Sequence, residues 1–377
     1  MKPMKLFTPG PTVVPWRVRE KMARPIIHHR TSEYRAIQRG VTDDLRRFMK
    51  TENPVLLLAS SGTGAMEAAL ANVTRPGEKV LVTAMGKFSA RWKEIAEVYG
   101  LEVVSADARW GDPVSPEAVE RALDENPGVR AVFTTHAETS TGVLQDVRSV
   151  AKIARERGAL IVVDAITTIC AENLETDLWG LDVVVGSSQK GVMTPPGLAF
   201  VSISPAARER VEGAGRRAYY FDLNRALAAY DNGDTPWTPP IGLVMGLGEA
   251  LKMIGEEGLE NVIERHGRNA RATRRAVEAL GLELLASSPA NCTTAVVFKD
   301  GNAETVRKHL FDVHGIRIAG GQAELKGKIV RLGHLGYCFE SDIFTLISGL
   351  ESTLLDIGVI EASGKGIEAL FREFHEM

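Results

Sequence analysis

The chain has 377 residues, 44% of them hydrophobic and 25% charged, with a formal net charge of -3. It is long enough for about two or three domains with full cores, and its mixed charge excludes the basic footprint of a nucleic-acid binder and the polybasic patch of a membrane-surface protein. Cys170, Cys292 and Cys338 are odd in number and far apart, which excludes a disulfide framework and a C-x-x-C metal site; a reducing compartment, the cytoplasm, and no resident metal are expected.

At the start, Pro9-Gly10-Pro11 stands where a secretory h-region would be, and no apolar run approaches about 18 residues. From Pro54 to about Ile203, short β-branched runs alternate with helical stretches, the pattern of a mainly parallel sheet wound with crossover helices. The expected strands are Val55–Ala59, Lys79–Val82, Leu101–Ser105, Ala131–Thr134, Leu160–Asp164, Asp182–Gly186 and Leu198–Ser202. Helices are expected near Gly64–Val73, Ser89–Tyr99, Pro116–Asp124 and Val147–Arg157. Ser115-Pro116-Glu117 supplies an N-cap, a first-turn proline and a first-turn acid for the third.

Glycine and proline then interrupt any regular element from Asn232 to Gly242, and helical periodicity resumes through Glu257. A long helix after Leu259 leads into strands near Thr294–Phe298 and Ile329–Leu332, and a helix over Ser341–Asp356 stops at Gly358. This reads as a smaller α+β domain. Ile367, Leu370, Phe371 and Phe374 fall at helical spacing and predict a docked amphipathic helix rather than a membrane anchor.

The chemistry gathers at the carboxyl ends of the strands, where open α/β sheets bind ligands. The run Val183-Val184-Val185-Gly186-Ser187-Ser188-Gln189-Lys190 ends an apolar strand in small polar residues and a lysine. Asp164 ends the preceding strand and points a carboxylate to the same edge. Singly, they could be a solvated lysine and a strand-end cap. Together they match the demands of a pyridoxal cofactor, which needs an amine to attach it and a carboxylate to keep its pyridine nitrogen protonated. Ser60-Ser61-Gly62-Thr63-Gly64-Ala65 lies between a strand and a helix, where small residues let backbone N–H groups approach a phosphate. Glu67 stands where a dinucleotide fingerprint would need its third glycine. Phe88 could be core or could stack on a flat ring, and Thr139, in the run His136 to Gly142, offers a hydroxyl.

The ordered set Gly10-Pro11, Ser61-Gly62-Thr63-Gly64, His136 to Gly142, Asp164, and Ser187-Ser188-Gln189-Lys190 followed by Pro195-Pro196-Gly197 resembles the class V aminotransferases. Within them it is most similar to the alanine–glyoxylate and serine–pyruvate aminotransferase family, some bacterial members of which carry the name of a soluble hydrogenase subunit. The resemblance runs from about Phe7 to about Ile357. It implies a fold-type I pyridoxal-5′-phosphate transferase, with a mainly parallel seven-stranded sheet in a large domain and a smaller α+β C-terminal domain. The implied division is 1–20 as an N-terminal segment contributing to the active site, 21–258 as the large cofactor-binding domain and 259–377 as the small domain.

By the same resemblance, Lys190 attaches the cofactor and is catalytic, Asp164 pairs with the pyridine nitrogen, and Phe88 stacks where the family usually has tryptophan. Thr63, Gly64, Ala65 and Gln189 would surround the phosphate, with Ala65 standing where some relatives place histidine. Thr235 and Thr238, in the Pro/Thr-rich loop to Pro240, would reach the phosphate of the neighbouring subunit in a homodimer. Gly10, Thr139 and Arg331 would meet the substrate, Arg331 gripping its α-carboxylate with two parallel hydrogen bonds. The implied reaction is transamination, with alanine or serine as donor, glyoxylate or pyruvate as acceptor, and aspartate an alternative donor. A cysteine desulfurase on the same fold would need a nucleophilic thiol, for which Cys338 is the candidate. His28 and His29, adjacent on the chain, do not suit a metal site and fit a loop near the substrate entrance. His334 has no role assigned.

Overall fold

Seven short runs rich in valine, isoleucine and leucine form one sheet, in the spatial order Val55–Leu58, Ala199–Ile203, Val183–Ser187, Leu160–Asp164, Ala131–Thr135, Lys79–Ala84, Glu102–Asp107. The structure, a computed structural model, describes residues 4–375 except 214, 216 and 300; residues 1–3 and 376–377 of the expected end segments lie outside the described residues. All seven expected strands are present, with ends shifted by one or two positions. Ala199–Ile203 runs antiparallel to both neighbours, and the other pairings are parallel.

Alternation along the central strands sends side chains to two separate cores. Ile161, Val163 and Val184 pack on one face with Val41, Leu45, Val150, Ala154 and Leu247. Val162, Val183 and Val185 pack on the other with Ala65, Met66, Ala69 and Leu70 of the helix Gly62–Val73. The remaining expected crossover helices appear as Arg91–Val98, Pro116–Glu125 and Val147–Glu156. Ser115 caps the second of these, its hydroxyl accepting from the Ala118 N–H at 3.2 Å, with Pro116 opening the first turn. No helix or strand interrupts the chain between Asp231 and Ile241, where the loop is expected; the helix Ile241–Glu257 follows.

A second, five-stranded sheet has the order Lys5–Phe7, Ile316–Gly320, Ile329–Gly333, Thr293–Val297, Glu283–Leu284. The helices Leu259–Ala279, Ala303–His314, Glu340–Asp356 and Lys365–His375 accompany it around a third core built on Phe7, Val277, Val296, Leu310, Leu332, Leu346 and Leu354. The last helix docks through Leu370 and Phe374, as expected, but Phe371 is 53% exposed and meets Phe344 with the rings tilted by 58° and their centroids 4.9 Å apart. The strands Lys5–Phe7 and Ile316–Gly320 and the helix Ala303–His314 go beyond the sequence expectation. Among the described residues, no helix is long and apolar enough to cross a membrane.

Candidate active site

Three parallel strand ends and one helix start converge on a pocket lined by Ser61, Gly62, Thr63, Phe88, Arg91, Ala137, Thr139, Asp164, Ile166, Thr167, Gln189 and Lys190. Asp164 and Lys190 reach it from adjacent strands, since Asp164 is in register with Val185. The turn carrying Lys190 is stapled on itself: Ser188 N–H donates to Leu198 O at 3.0 Å, Thr194 N–H to Ser188 O at 2.9 Å, and Ser188 Oγ to Pro195 O at 2.6 Å. The lysine amine donates to Pro9 O at 2.7 Å, and Thr12 Oγ1 donates to Lys190 O at 3.0 Å.

Burial governs both titratable groups. It pushes the Lys190 amine down to about 8, against the opposing pull of Cys292 and Asp164. It pushes the Asp164 carboxyl up to about 7, while the Ile166 N–H, donating to Oδ1 at 2.8 Å, draws it down; Glu138 adds to the rise, and Lys190 and Arg91 oppose it. An amine with a depressed pKa beside a carboxyl with a raised one is a pairing characteristic of reactive sites.

The helix Gly62–Val73 brings its first two residues, Gly62 and Thr63, to the pocket, and their N–H groups have no intrahelical partners. Side chains are kept out of the way: a Cβ on Gly64 would meet Ser60 Oγ at 1.8 Å and one on Gly62 would meet Ile166 Cδ1 at 2.4 Å. The Gly64 and Ala65 N–H groups already donate to Ser61 O, and the Ala65 side chain is buried in the core rather than lining the pocket. Gln189 Oε1 is buried without a protein partner. Beside the helix start, the Arg91 guanidinium lies 5.0 Å from the Phe88 ring centroid, and its Nη1 donates to Thr63 Oγ1 at 3.1 Å.

Arg331 is buried on the strand Ile329–Gly333, behind Thr139. Its Nε donates to Gly320 O and its Nη1 to Thr139 O, both at 2.9 Å, leaving Nη2 without a protein acceptor among the described residues. Gly10 approaches Lys190 closely, a Cβ there meeting Nζ at 2.3 Å. Thr235 and Thr238 lie elsewhere within the chain: they line a separate cavity with Leu57, Leu58, Ala59, Tyr220 and Trp237, and Thr235 Oγ1 is buried without a partner.

His28 and His29 are in a loop, stacked with ring centroids 4.8 Å apart, and the adjacent Arg30 donates to Thr235 O at 3.0 Å. His334 is fully buried, its Nε2 3.0 Å from Thr294 Oγ1. Burial pushes the Cys338 thiol up to about 12, which disfavours the thiolate that a desulfurase nucleophile requires. Among the described residues, no cluster of three or more His, Cys, Asp or Glu is placed to hold a metal ion. Sequence reasoning missed three participants. Pro9 acts through its carbonyl, Arg91 shows only as an arginine three residues past Phe88, and Glu138 binds mostly backbone groups.

The pocket fits a flat anionic heteroaromatic ring: Phe88 supplies a face, Asp164 a carboxylate, Lys190 an amine, and Gly62, Thr63 and Gln189 an uncrowded anion cradle. On this fold, such a pocket defines a pyridoxal-phosphate-dependent aminotransferase of fold type I. The chain belongs to the class-V aminotransferase family, whose profile matches residues 17–338. A soluble hydrogenase 42 kDa subunit of Anabaena cylindrica is 42% identical over 379 residues, covering 98% of each chain. The serine–glyoxylate aminotransferase of Methylorubrum extorquens is 36% identical over 378 residues, 97% of this chain and 94% of its own. The crystal structure of an alanine–glyoxylate aminotransferase from Nostoc sp. superposes with a TM-score of 0.89 at 32% identity, over 94% of this chain and 96% of that one.

Proposed function

We propose that the chain transfers the amino group of a small amino acid, alanine or serine, to a 2-oxo acid, glyoxylate or pyruvate. The observation that carries this reading is the buried Lys190–Asp164 arrangement in a pocket whose remaining walls include the small side chains of Ala137, Thr139 and Thr167. The names of the serine–glyoxylate and alanine–glyoxylate relatives support it.

Pyridoxal phosphate, when bound, supplies an aldehyde for covalent attachment and a protonated ring that withdraws electrons from the substrate α-carbon. Lys190 would hold the group through its amine, and the same Nζ, placed in the pocket beside Asp164, would serve as the base and acid that moves the substrate α-proton. Its depressed pKa suits both duties, because a lysine of ordinary basicity would stay protonated. Asp164, which lines the same pocket, would pair with the ring nitrogen and keep its proton in place. Phe88 would cover one ring face, while Thr63, Gly64 and Gln189 would surround the phosphate, with Ala65 behind them in the core. Gly10 leaves space beside Lys190, Thr139 offers a hydroxyl, and Arg331 grips the α-carboxylate through its remaining donor.

The same reading places Thr235 and Thr238 at the phosphate of a partner subunit in a cytoplasmic homodimer, which agrees with their separation from Lys190 within one chain. It keeps 1–20, 21–258 and 259–377 as the N-terminal segment, large domain and small domain; the separate core around Val277, Val296 and Leu346 supports the last, although Leu259 and Val262 pack with the large sheet and Phe7 with the small one. Half-reaction spectroscopy tests the assignment: each of alanine, serine and aspartate is mixed with the cofactor-loaded protein, and the loss of its visible band is followed. Fast bleaching by alanine or serine is expected. Bleaching by aspartate alone would overturn the donor assignment.

A further inference from the structure

Glu138 is a fully buried carboxylate between the loops that carry Phe88 and Thr139. Oε1 accepts from Ser140 N–H at 3.1 Å and Ser140 Oγ at 2.6 Å; Oε2 accepts from Phe88 N–H at 3.0 Å, Ser89 N–H at 2.7 Å and Ser89 Oγ at 2.8 Å. Every one of these donors is neutral. Among the described residues, no lysine, arginine or histidine forms a direct ion pair with it; these hydrogen bonds, with a longer-range Coulombic attraction to the buried Arg331, offset the cost of its burial. The packing is close enough that a Cβ on Gly86 would meet Glu138 Cγ and Ser140 Oγ, each at 2.5 Å.

The carboxylate suits this position for a chemical reason. Three of its partners are backbone N–H groups, which can only donate, and a carboxylate accepts on both oxygens. An amide in its place would turn its NH₂ group toward some of these donors and leave them unsatisfied. One loop held this way presents the Phe88 ring to the pocket. The other presents Thr139, whose carbonyl takes the 2.9 Å hydrogen bond from Arg331. A continuous set of contacts therefore runs from Phe88 through Glu138 and the Thr139 backbone to Arg331.

We propose that Glu138 is a positioning residue that sets the Phe88 ring and the Arg331 guanidinium in register with one another, so that cofactor and substrate sites are aligned by one buried carboxylate. The inference rests on the aminotransferase reading above. Glu138 touches neither group itself; it acts through two loop backbones.

A double-mutant cycle with E138Q and F88A tests the idea, with pyridoxal phosphate titrated into the apoprotein and alanine binding read from the half-reaction. E138Q is expected to fold, to weaken pyridoxal phosphate binding by about tenfold or more, and to weaken alanine binding by a similar factor. F88A should be costly in the parent chain and cost no more than about twofold in E138Q, because its ring is already out of register. If E138Q does not fold, Ser89→Ala combined with Ser140→Ala removes both hydroxyl donors, keeps the charge and carries the same cycle with smaller losses. Additive effects of the paired changes, or a lowered melting temperature with both affinities intact, would overturn the proposal. A parent chain that takes up no pyridoxal phosphate would overturn the aminotransferase reading and this one with it.

Discussion

The Lys190 amine donates a 2.7 Å hydrogen bond to the Pro9 carbonyl, and the residue after Pro9 has no room for a side chain on the lysine's side. Gly10 also holds φ at +124°, which L side chains rarely adopt. Gly10→Ala is therefore expected to displace Lys190, weakening pyridoxal phosphate attachment by about tenfold or more and destabilising the fold by about 1–3 kcal/mol. Spectrophotometric titration of the apoprotein and urea melts check both effects. Parent-like affinity would show that the N-terminal segment yields freely.

The depressed pKa of Lys190 has a kinetic signature. Only the unprotonated amine attacks an aldehyde, so attachment of pyridoxal phosphate should speed up as pH rises through about 8, the value to which burial lowers the group. An exposed lysine would show its midpoint near pH 10.4. Stopped-flow mixing over about pH 6 to 10 distinguishes them, and Lys190→Ala should show neither attachment nor a visible band.

Asp164→Asn should lower the transamination rate by about 10²–10⁴-fold, because an unprotonated ring is a poor electron sink. Its effect on apoprotein stability runs the other way. The folded carboxyl is raised from 3.8 to about 7, so the stability it contributes is fully present below the unfolded pKa and is lost as pH rises through the folded one. Asparagine has no such loss. Thermal melts of both apoproteins should show the variant gaining on the parent between about pH 4 and pH 7 and a constant difference above that; a constant difference across the whole range would show that the carboxyl is not held at a raised pKa.

Arg331→Lys keeps the charge but gives up the separate Nε and Nη1 hydrogen bonds to Gly320 and Thr139. Both half-reactions should weaken by a similar factor, on the order of 1–3 kcal/mol in transition-state binding, while the cofactor stays bound. Rates with alanine, serine and aspartate measured separately decide the matter. Loss confined to aspartate would assign Arg331 to a side-chain carboxylate instead.

Mixing Lys190→Ala chains with chains changed to alanine at Thr235 and Thr238 should produce hybrid dimers with one intact site and partly restored activity. Activity assays on purified hybrids give the answer. Hybrids that form without regaining activity would place the 235–238 loop in its own subunit's service.

The large sheet is legible because its central strands, such as Val183-Val184-Val185, are apolar on both faces and end in turn residues. The direction of Ala199–Ile203 is not, since an antiparallel strand buried on both sides has the same composition as a parallel one. Lys190 and Asp164 stand out because each ends an apolar run. For Arg331, the flanking Ile329, Val330 and Leu332 hint at burial, yet its acceptors are two distant carbonyls that no side-chain pattern records. Glu138 is harder still, with three of its donors being backbone N–H groups. The helix Ala303–His314 did leave a signal, Ala303, Val306 and Leu310 at helical spacing before Gly315, whereas a three-residue strand such as Lys5–Phe7 is too short for periodicity to mark.

That short strand also sets an order of events during synthesis. Lys5 pairs with Ile316, about 310 residues later in the chain. The large sheet draws its strands from residues 55–203 and can close while the small sheet is still emerging from the ribosome. Pro9, two residues beyond Phe7, gains that strand's support only after Ile316–Gly320 has been made; before then, Thr12 is what ties the segment to Gln189 and Lys190. The enclosure of the lysine is therefore completed only when about five-sixths of the protein has been translated, and a chain cut short before that point would carry the large sheet without the strand that anchors the Pro9 side of the pocket.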